Sequence, residues 1–219
     1  MKITSAVRFI SFFLAIFVSF NAIAAANPAD ILGIIQAGQF TPPPNQLGKS
    51  GFIELVHQRQ EKNLCVPTSA SIVLQHFGQL RTPRELKVLS RRQRYDPKKR
   101  FNDFTLTMFD DLIAGIYTLD INWRQQNYPN TKAGAMNGLE HIRNAIDQGA
   151  PVLIDTTLYG GHTIIVSGYD DTAQNLVIID PNIDTPGLRI ISYKKIEEIW
   201  NSRGVGYNGR GAIFTSPKR

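Results

Sequence analysis

The chain predicts an α+β domain in which N-terminal helices pack on a mostly antiparallel C-terminal sheet. Three observations point there. Segments with apolar residues at three- and four-residue spacing fill the middle of the chain. Short β-branched runs, divided by turns rich in Gly, Asp, Asn and Pro, fill the last third. The two textures follow one another instead of alternating, and no internal repeat is visible, which favours α+β over a parallel α/β sheet.

The first two dozen residues are not read as fold. Lys2 and Arg8 precede an apolar run over residues 9–18, and small residues at Ala22, Ala24 and Ala26 follow. That is the layout of a secretory signal peptide cleaved after Ala24. The run is too short for a membrane anchor, which needs about 20 apolar residues, and Ser19 and Asn21 interrupt it. The expected organisation is therefore signal peptide 1–24, linker or pro-segment 25–50, and one domain over 51–219. Residues 29–35 carry a helical pattern, and Pro42, Pro43 and Pro44 then force an extended connection.

Within the domain, residues 52–56 read as a short strand. A helix follows Cys65: Ala70, Val73, Leu74 and Phe77 share one face, Pro67 suits the first turn, and Gly78 suits the stop. Thr82-Pro83-Arg84-Glu85 places an N-cap, a first-turn Pro and a capping-box Glu in register, opening a helix to about residue 92. Residues 91–100 are a basic loop, read as solvated surface or as a contact for an acidic partner. Residues 106–116 read as a helix and 117–123 as a strand. Residues 139–148 form an amphipathic helix, with Ile142, Ala145 and Ile146 inward and Gly149 as its stop. Strands are expected at 151–154, 163–166, 176–179, 188–191 and 212–214, with one further helix at 194–201. Trp200 is expected as a core anchor, and Tyr169 as packing under the strand at 163–166.

Composition narrows the function classes. The formal charge of +6 falls to about +4 once Lys2 and Arg8 leave with the signal peptide. That excess is too mild to indicate a nucleic-acid binder. There is no Cys/His cluster with zinc spacing, no Gly-rich phosphate loop and no RNA-binding aromatic pattern, so neither metal nor organic cofactor is expected. A monomer without stable membrane insertion is the expected state. The single cysteine, Cys65, permits no intramolecular disulfide. In an exported chain it is a buried core residue, an intermolecular link or a thiol kept for chemistry.

Three positions could carry that chemistry. Cys65 sits at the mouth of a helix, where free amide groups and the helix dipole favour the thiolate. His162 follows the Gly160-Gly161 pair and opens an apolar strand. Asp180 ends the next strand and can meet His162 across a hairpin, where a carboxylate would fix the imidazole tautomer. Taken singly, each also has an ordinary structural explanation: a buried thiol, a satisfied histidine, a strand-ending Asp before Pro181. Together they match the needs of acyl transfer. His57 reads as a surface residue, and His76 and His141, inside helices, as structural or exposed.

These residues carry a resemblance. Asn63-Leu64-Cys65-Val66-Pro67-Thr68-Ser69-Ala70 resembles the Cys motif of papain-like peptidases related to the bacteriocin-leader (double-glycine) peptidases, the C-thirty-nine-like group. Gly161-His162 with its apolar strand and Gly168-Tyr169-Asp170 is similar to their His motif, and Asp180-Pro181 to their Asp-Pro element. The resemblance spans about residues 52–215. It implies a papain-like fold, a cysteine peptidase with Cys65 as nucleophile, His162 as base and Asp180 as orienting acid, and no cofactor. It also implies an oxyanion-binding Gln just before the Cys. Gln60 and Gln58 stand five and seven residues ahead, with Arg59 at the sixth position; Gln60 is preferred and Gln58 is the alternative. Val66 stands where many relatives have Gly. A cell-wall amidase or transamidase on the same fold, or a non-catalytic binding module, are the alternatives.

Overall fold

A computed structural model describes residues 49–90, 106–119, 121–201 and 209–218. The expected signal peptide (1–24), nearly all of the expected linker (25–50) and the basic loop (91–100) lie outside the described residues.

Seven strands form one sheet. They are β1 (Ser50–Phe52), β2 (Ile121–Tyr128), β3 (Val152–Thr156), β4 (His162–Asp170), β5 (Asn175–Ile179), β6 (Leu188–Ser192) and β7 (Arg210–Pro217). Their order is β2-β7-β3-β4-β5-β6, with β1 pairing β4 beyond the end of β3, and the pairings are antiparallel. The helices are α1 (Cys65–His76), α2 (Pro83–Leu89), α3 (Phe109–Ile116), α4 (Lys132–Asp147) and α5 (Tyr193–Ile199).

Both faces of the sheet are covered. Leu153, Ile165, Val177, Ile179 and Ile213 pack with Val66, Ala70 and Val73 of α1, Leu86 of α2 and Leu112 of α3. The alternate residues Ile154, Ile164, Val166, Ile178 and Ala212 pack with Ile142 and Ile146 of α4, Ile196 of α5 and Trp200. β4 is covered on both sides and buried at all nine positions, so its apolar stretch Ile164–Val166 runs without polar alternation. Trp200 is the expected core anchor, fully buried, with its indole N–H donating to Gly211 O at 2.9 Å.

Several boundaries differ from the sequence expectation. The strand expected at 52–56 is Ser50–Phe52, because β3 already occupies β4 from Val166 backward and only Gly168–Asp170 is left to pair. The helix expected from 106 begins at Phe109, after an extended Met108. The strand expected at 117–123 is Ile121–Tyr128; it lies at the sheet edge, so Arg124 to Asn127 are polar and mostly outward and mask the pattern. α4 starts at Lys132 instead of 139, capped by Thr131, whose hydroxyl accepts from Gly134 N. Gly134 and Gly138 hide that start in the sequence. A Cβ on Gly138 would come within 2.4 Å of the Trp200 ring, so close packing against the indole demands glycine there.

The caps were legible. Thr82 and Glu85 form the reciprocal capping box. α1 ends with Gly78 N bonded to Gln75 O and Gln79 N to Leu74 O, the Schellman arrangement. Tyr169 lies on β4 itself instead of beneath it, with its hydroxyl donating to Asp147 of α4 at 2.6 Å. No described helix is long and apolar enough to cross a membrane.

Candidate active site

Three elements converge at one end of the sheet. Cys65 is the first residue of α1, and the first intrahelical bond runs from Thr68 N to Leu64 O, so the N–H groups of Cys65 and Val66 precede the hydrogen-bond ladder. His162 opens β4. Asp180 directly follows β5, and the pairing of Ile165 with Ile179 sets Asp180 one diagonal step from His162.

His162 Nε2 and Asp180 Oδ1 are 2.7 Å apart, and neither side chain has appreciable exposure. The Cys65 side chain is within hydrogen-bonding reach of the same imidazole. With Asp180 on Nε2, Nδ1 is the nitrogen left for the thiol. Burial alone would discharge the ring, but the bonds to Asp180 and Cys65 and the charge of both outweigh it and raise His162 to about 9. The structure thus brings Cys65, His162 and Asp180 together as a connected set.

Asp180 is fully buried and held on every side. Asn182 N donates to Oδ1 at 2.8 Å, and Arg189 donates to Oδ2 at 3.2 Å. The Tyr159 hydroxyl also donates to Oδ2, at 3.3 Å. Burial disfavours the carboxylate, yet His162, Asn182 N–H and Arg189 hold it below the usual carboxylate range. Tyr159 also sets its ring edge-on to His162, centroids 5.2 Å apart. It does so from a left-handed backbone, φ 53°, a conformation uncommon outside glycine.

His57 is not the surface residue expected. It is half-buried, with Nε2 3.2 Å from the carbonyl oxygen of Asp180 and Nδ1 3.2 Å from Thr185 Oγ1. An imidazole donating from Nε2 and accepting at Nδ1 satisfies both contacts. Burial leads the effects on it and lowers its pKa, favouring the neutral ring.

Gln60 and Gln58 part ways. Gln60 N donates to Pro181 O at 2.8 Å, and its Nε2 donates to Asn182 Oδ1 at 3.2 Å, so it stands beside the turn that carries Asp180. Its Oε1 is buried without a hydrogen-bond partner among the described residues. Gln58 bonds Gln75 and Ser71 on the flank of α1, more than a turn beyond Cys65. Of the other histidines, His76 bonds Gly149 O and His141 bonds the Tyr128 hydroxyl.

Sequence reasoning missed Tyr159, Arg189, Asn182 and His57 as supports of Asp180. Arg189 left a signal: it is a lone charge within the apolar run of β6, opposite Ile178. Asp155 was missed as well. It lines a narrow cavity of about 50 Å³ together with Cys65, Val66, His162, Thr163 and Met108. A larger groove of about 590 Å³ between β2, β7 and α4 contains Arg124, His141 and Phe214 but none of Cys65, His162 and Asp180. Among the described residues, no group of three or more His, Cys, Asp or Glu is placed to hold a metal ion.

Comparison with known proteins gives the arrangement a context. The peptidase domain of Streptococcus ComA, a bi-functional ABC transporter involved in a quorum-sensing pathway, matches at 17% identity and TM-score 0.50. The match covers 75% of this chain and 98% of that domain. A double-glycine-motif protease from an AMS/PCAT transporter, solved with the leader peptide, matches at 11% identity and TM-score 0.47, covering 77% of this chain and 95% of that one. Xylellain, a cysteine protease from Xylella fastidiosa, matches at 11% identity and TM-score 0.45, covering 82% and 91%. No match was found among curated proteins. The model of the Peptidase_C39 like family matches residues 52–207, a span that opens at the end of β1 and takes in Cys65, His162 and Asp180. With most of the chain inside that match, the protein belongs to the Peptidase_C39 like family and is a cysteine-type peptidase of papain-like fold.

Proposed function

We propose that the protein hydrolyses peptide bonds through Cys65, His162 and Asp180, with Gln60 assisting. The observation that carries this is the imidazole of His162, which meets the Cys65 thiol on one side and the buried Asp180 carboxylate, at 2.7 Å, on the other. His162 takes the thiol proton, and Cys65 Sγ attacks the scissile carbonyl carbon. The oxygen that becomes negative is received by the N–H of Cys65, which precedes the helical ladder, and by the Gln60 amide. His162 returns the proton to the departing amine as the tetrahedral intermediate collapses to a thioester. Water, deprotonated by His162, then releases the acid product and restores the thiol. Asp180 keeps the ring in the tautomer that faces sulfur.

The substrate is a peptide or protein. A neighbour of the same fold was solved with a leader peptide bound, and that link is one of chemistry only. Residues 1–24 support an exported enzyme, released by cleavage after Ala24.

The test is mass spectrometry of products from a peptide library, comparing wild type with Cys65→Ala and adding peptidoglycan as a separate arm. Peptide cleavage by wild type that vanishes in Cys65→Ala is expected. Turnover of peptidoglycan alone would move the assignment to a cell-wall amidase, and equal behaviour of both proteins would overturn the nucleophile.

A further inference from the structure

The mechanism above leaves one carboxyl in the site unused. Asp155 lies on β3, paired opposite Thr163, while Thr156 is paired opposite His162. Its Oδ1 accepts from the Thr163 hydroxyl at 2.7 Å. That is its one hydrogen bond among the described residues. Its neighbours in the β3–β4 ladder, Leu153 and Ile165, face the α1 layer, so Asp155 and Thr163 share the face against which Cys65 begins its helix. The same cavity is lined by Cys65 and His162, and beyond them by uncharged residues, among them Val66, Met108, Thr156 and Asn201. Lys87 is not part of that lining and donates to the hydroxyl of Thr107, which is, at 2.7 Å. His162 gives its hydrogen bond to Asp180.

We propose that Asp155 is a specificity-determining residue, whose free carboxylate oxygen receives a primary ammonium group of the substrate beside the scissile bond. The inference rests on the peptidase reading for what the substrate is, but not for whether Asp155 faces the thiol. A half-buried carboxyl with one neutral donor is under-solvated. Burial pushes Asp155 up to about 7, with the Thr163 bond and the charge of His162 acting against that. His162 supplies charge from across the cavity but no hydrogen bond, and an arriving ammonium would bring both to the free oxygen. A ligand without one would have to strand the carboxylate or leave it protonated, and the site would discriminate against it. The ammonium could belong to a lysine side chain or to a free α-amino terminus, since both present the same three donors.

Methanethiosulfonate reagents test this without requiring turnover. Each transfers its thioalkyl group to Cys65 Sγ and releases methanesulfinate, so the tails differ in charge and size, and comparing rate ratios between wild type and variant cancels the size. The rates compared are those of the 2-aminoethyl, methyl and 2-sulfonatoethyl reagents on wild type and on Asp155→Asn, which keeps an oxygen for Thr163. The expected result is a cationic-to-neutral rate ratio about tenfold higher in wild type than in the variant, with the anionic reagent slowest on wild type. Equal ratios in the two proteins overturn the proposal. If Asp155→Asn does not fold, protection of wild-type Cys65 from the methyl reagent decides: n-butylammonium should protect and n-butanol should not. Equal protection by both overturns the proposal. A thiol no faster than a free cysteine toward the neutral reagent counts against the peptidase reading, while the ratio still decides for Asp155. Peptides ending in a free amine, or carrying an internal lysine after N-acetylation, then separate the two sources through KM. A KM that rises about tenfold in Asp155→Asn for one series only identifies it.

Discussion

At the scale of single residues, the site depends on how many neighbours hold Asp180. Its carboxylate receives His162, Asn182 N–H, Arg189 and Tyr159, and its carbonyl meets His57. An acid held this way cannot swing, so the imidazole it holds has one orientation toward sulfur. Gln60 touches the same turn through Asn182, and its role separates from support by measurement. Gln60→Ala should lower kcat for peptides about 10²–10³-fold, the usual cost of one oxyanion donor. Alkylation of Cys65 by iodoacetamide, which develops no oxyanion, should change by less than about threefold. A parallel loss in both would instead make Gln60 a support of the Asp180 turn. Cys65, His162 and Asp180 were legible in the sequence because each sits at an element boundary that local signals mark: a helix start, a Gly pair, a strand end before Pro. Tyr159, His57 and Arg189 were not, because their partners lie on other elements and only the sheet register brings them near.

At the scale of elements, the turn after β5 and the segment before α1 are fitted to each other. Gly187, at φ +70°, lies under His57, and a Cβ added there would sit 2.0 Å from the ring. Gly187→Ala must therefore displace His57 and strain its own backbone. It should cost about 2–3 kcal/mol and lower Tm by roughly 5–10 °C, as read by calorimetry. Peptide turnover should fall with it, since the His57 contact to the Asp180 carbonyl is lost. An unchanged Tm would show that the loop yields freely. Element boundaries were legible where caps announce them, as at Thr82 and Gly78. They were obscured where tertiary packing chose the residue. α4 begins with glycines because Trp200 and the backbone of Pro129 approach its first turns, and no local helix rule would favour glycine there.

Over the whole molecule, the buried His162 and the half-buried Asp155 tie stability to pH in the same direction. His162 is raised to about 9 from an unfolded value near 6.5. The native state therefore holds that proton more tightly, and the gain is complete below pH 6.5 and disappears as pH climbs through 9. Asp155, raised to about 7 from 3.8, is a carboxyl that the native state prefers protonated. Its penalty grows between those values and is full above 7. The protein should be more stable at pH 6 than at pH 9.5 by on the order of 3 kcal/mol, measured by urea unfolding at each pH. His162→Gln should remove most of that difference, whereas a wild-type stability that is flat across the interval would contradict the assignment. The α+β class was legible from texture alone. What texture did not reveal was that helices cover both faces, since an apolar run reads the same whether its second face meets α4 or a neighbouring strand.

The placement of β1 has a practical corollary. Ser50 pairs with Asp170, the last residue of β4, whereas His162 is the first. Nine extended residues separate these ends by roughly 26 Å. An affinity handle or carrier protein joined directly at Lys49, in place of residues 1–48, would begin on the side remote from the reactive sulfur, and that junction is the one to choose when the cleft must stay open to large substrates.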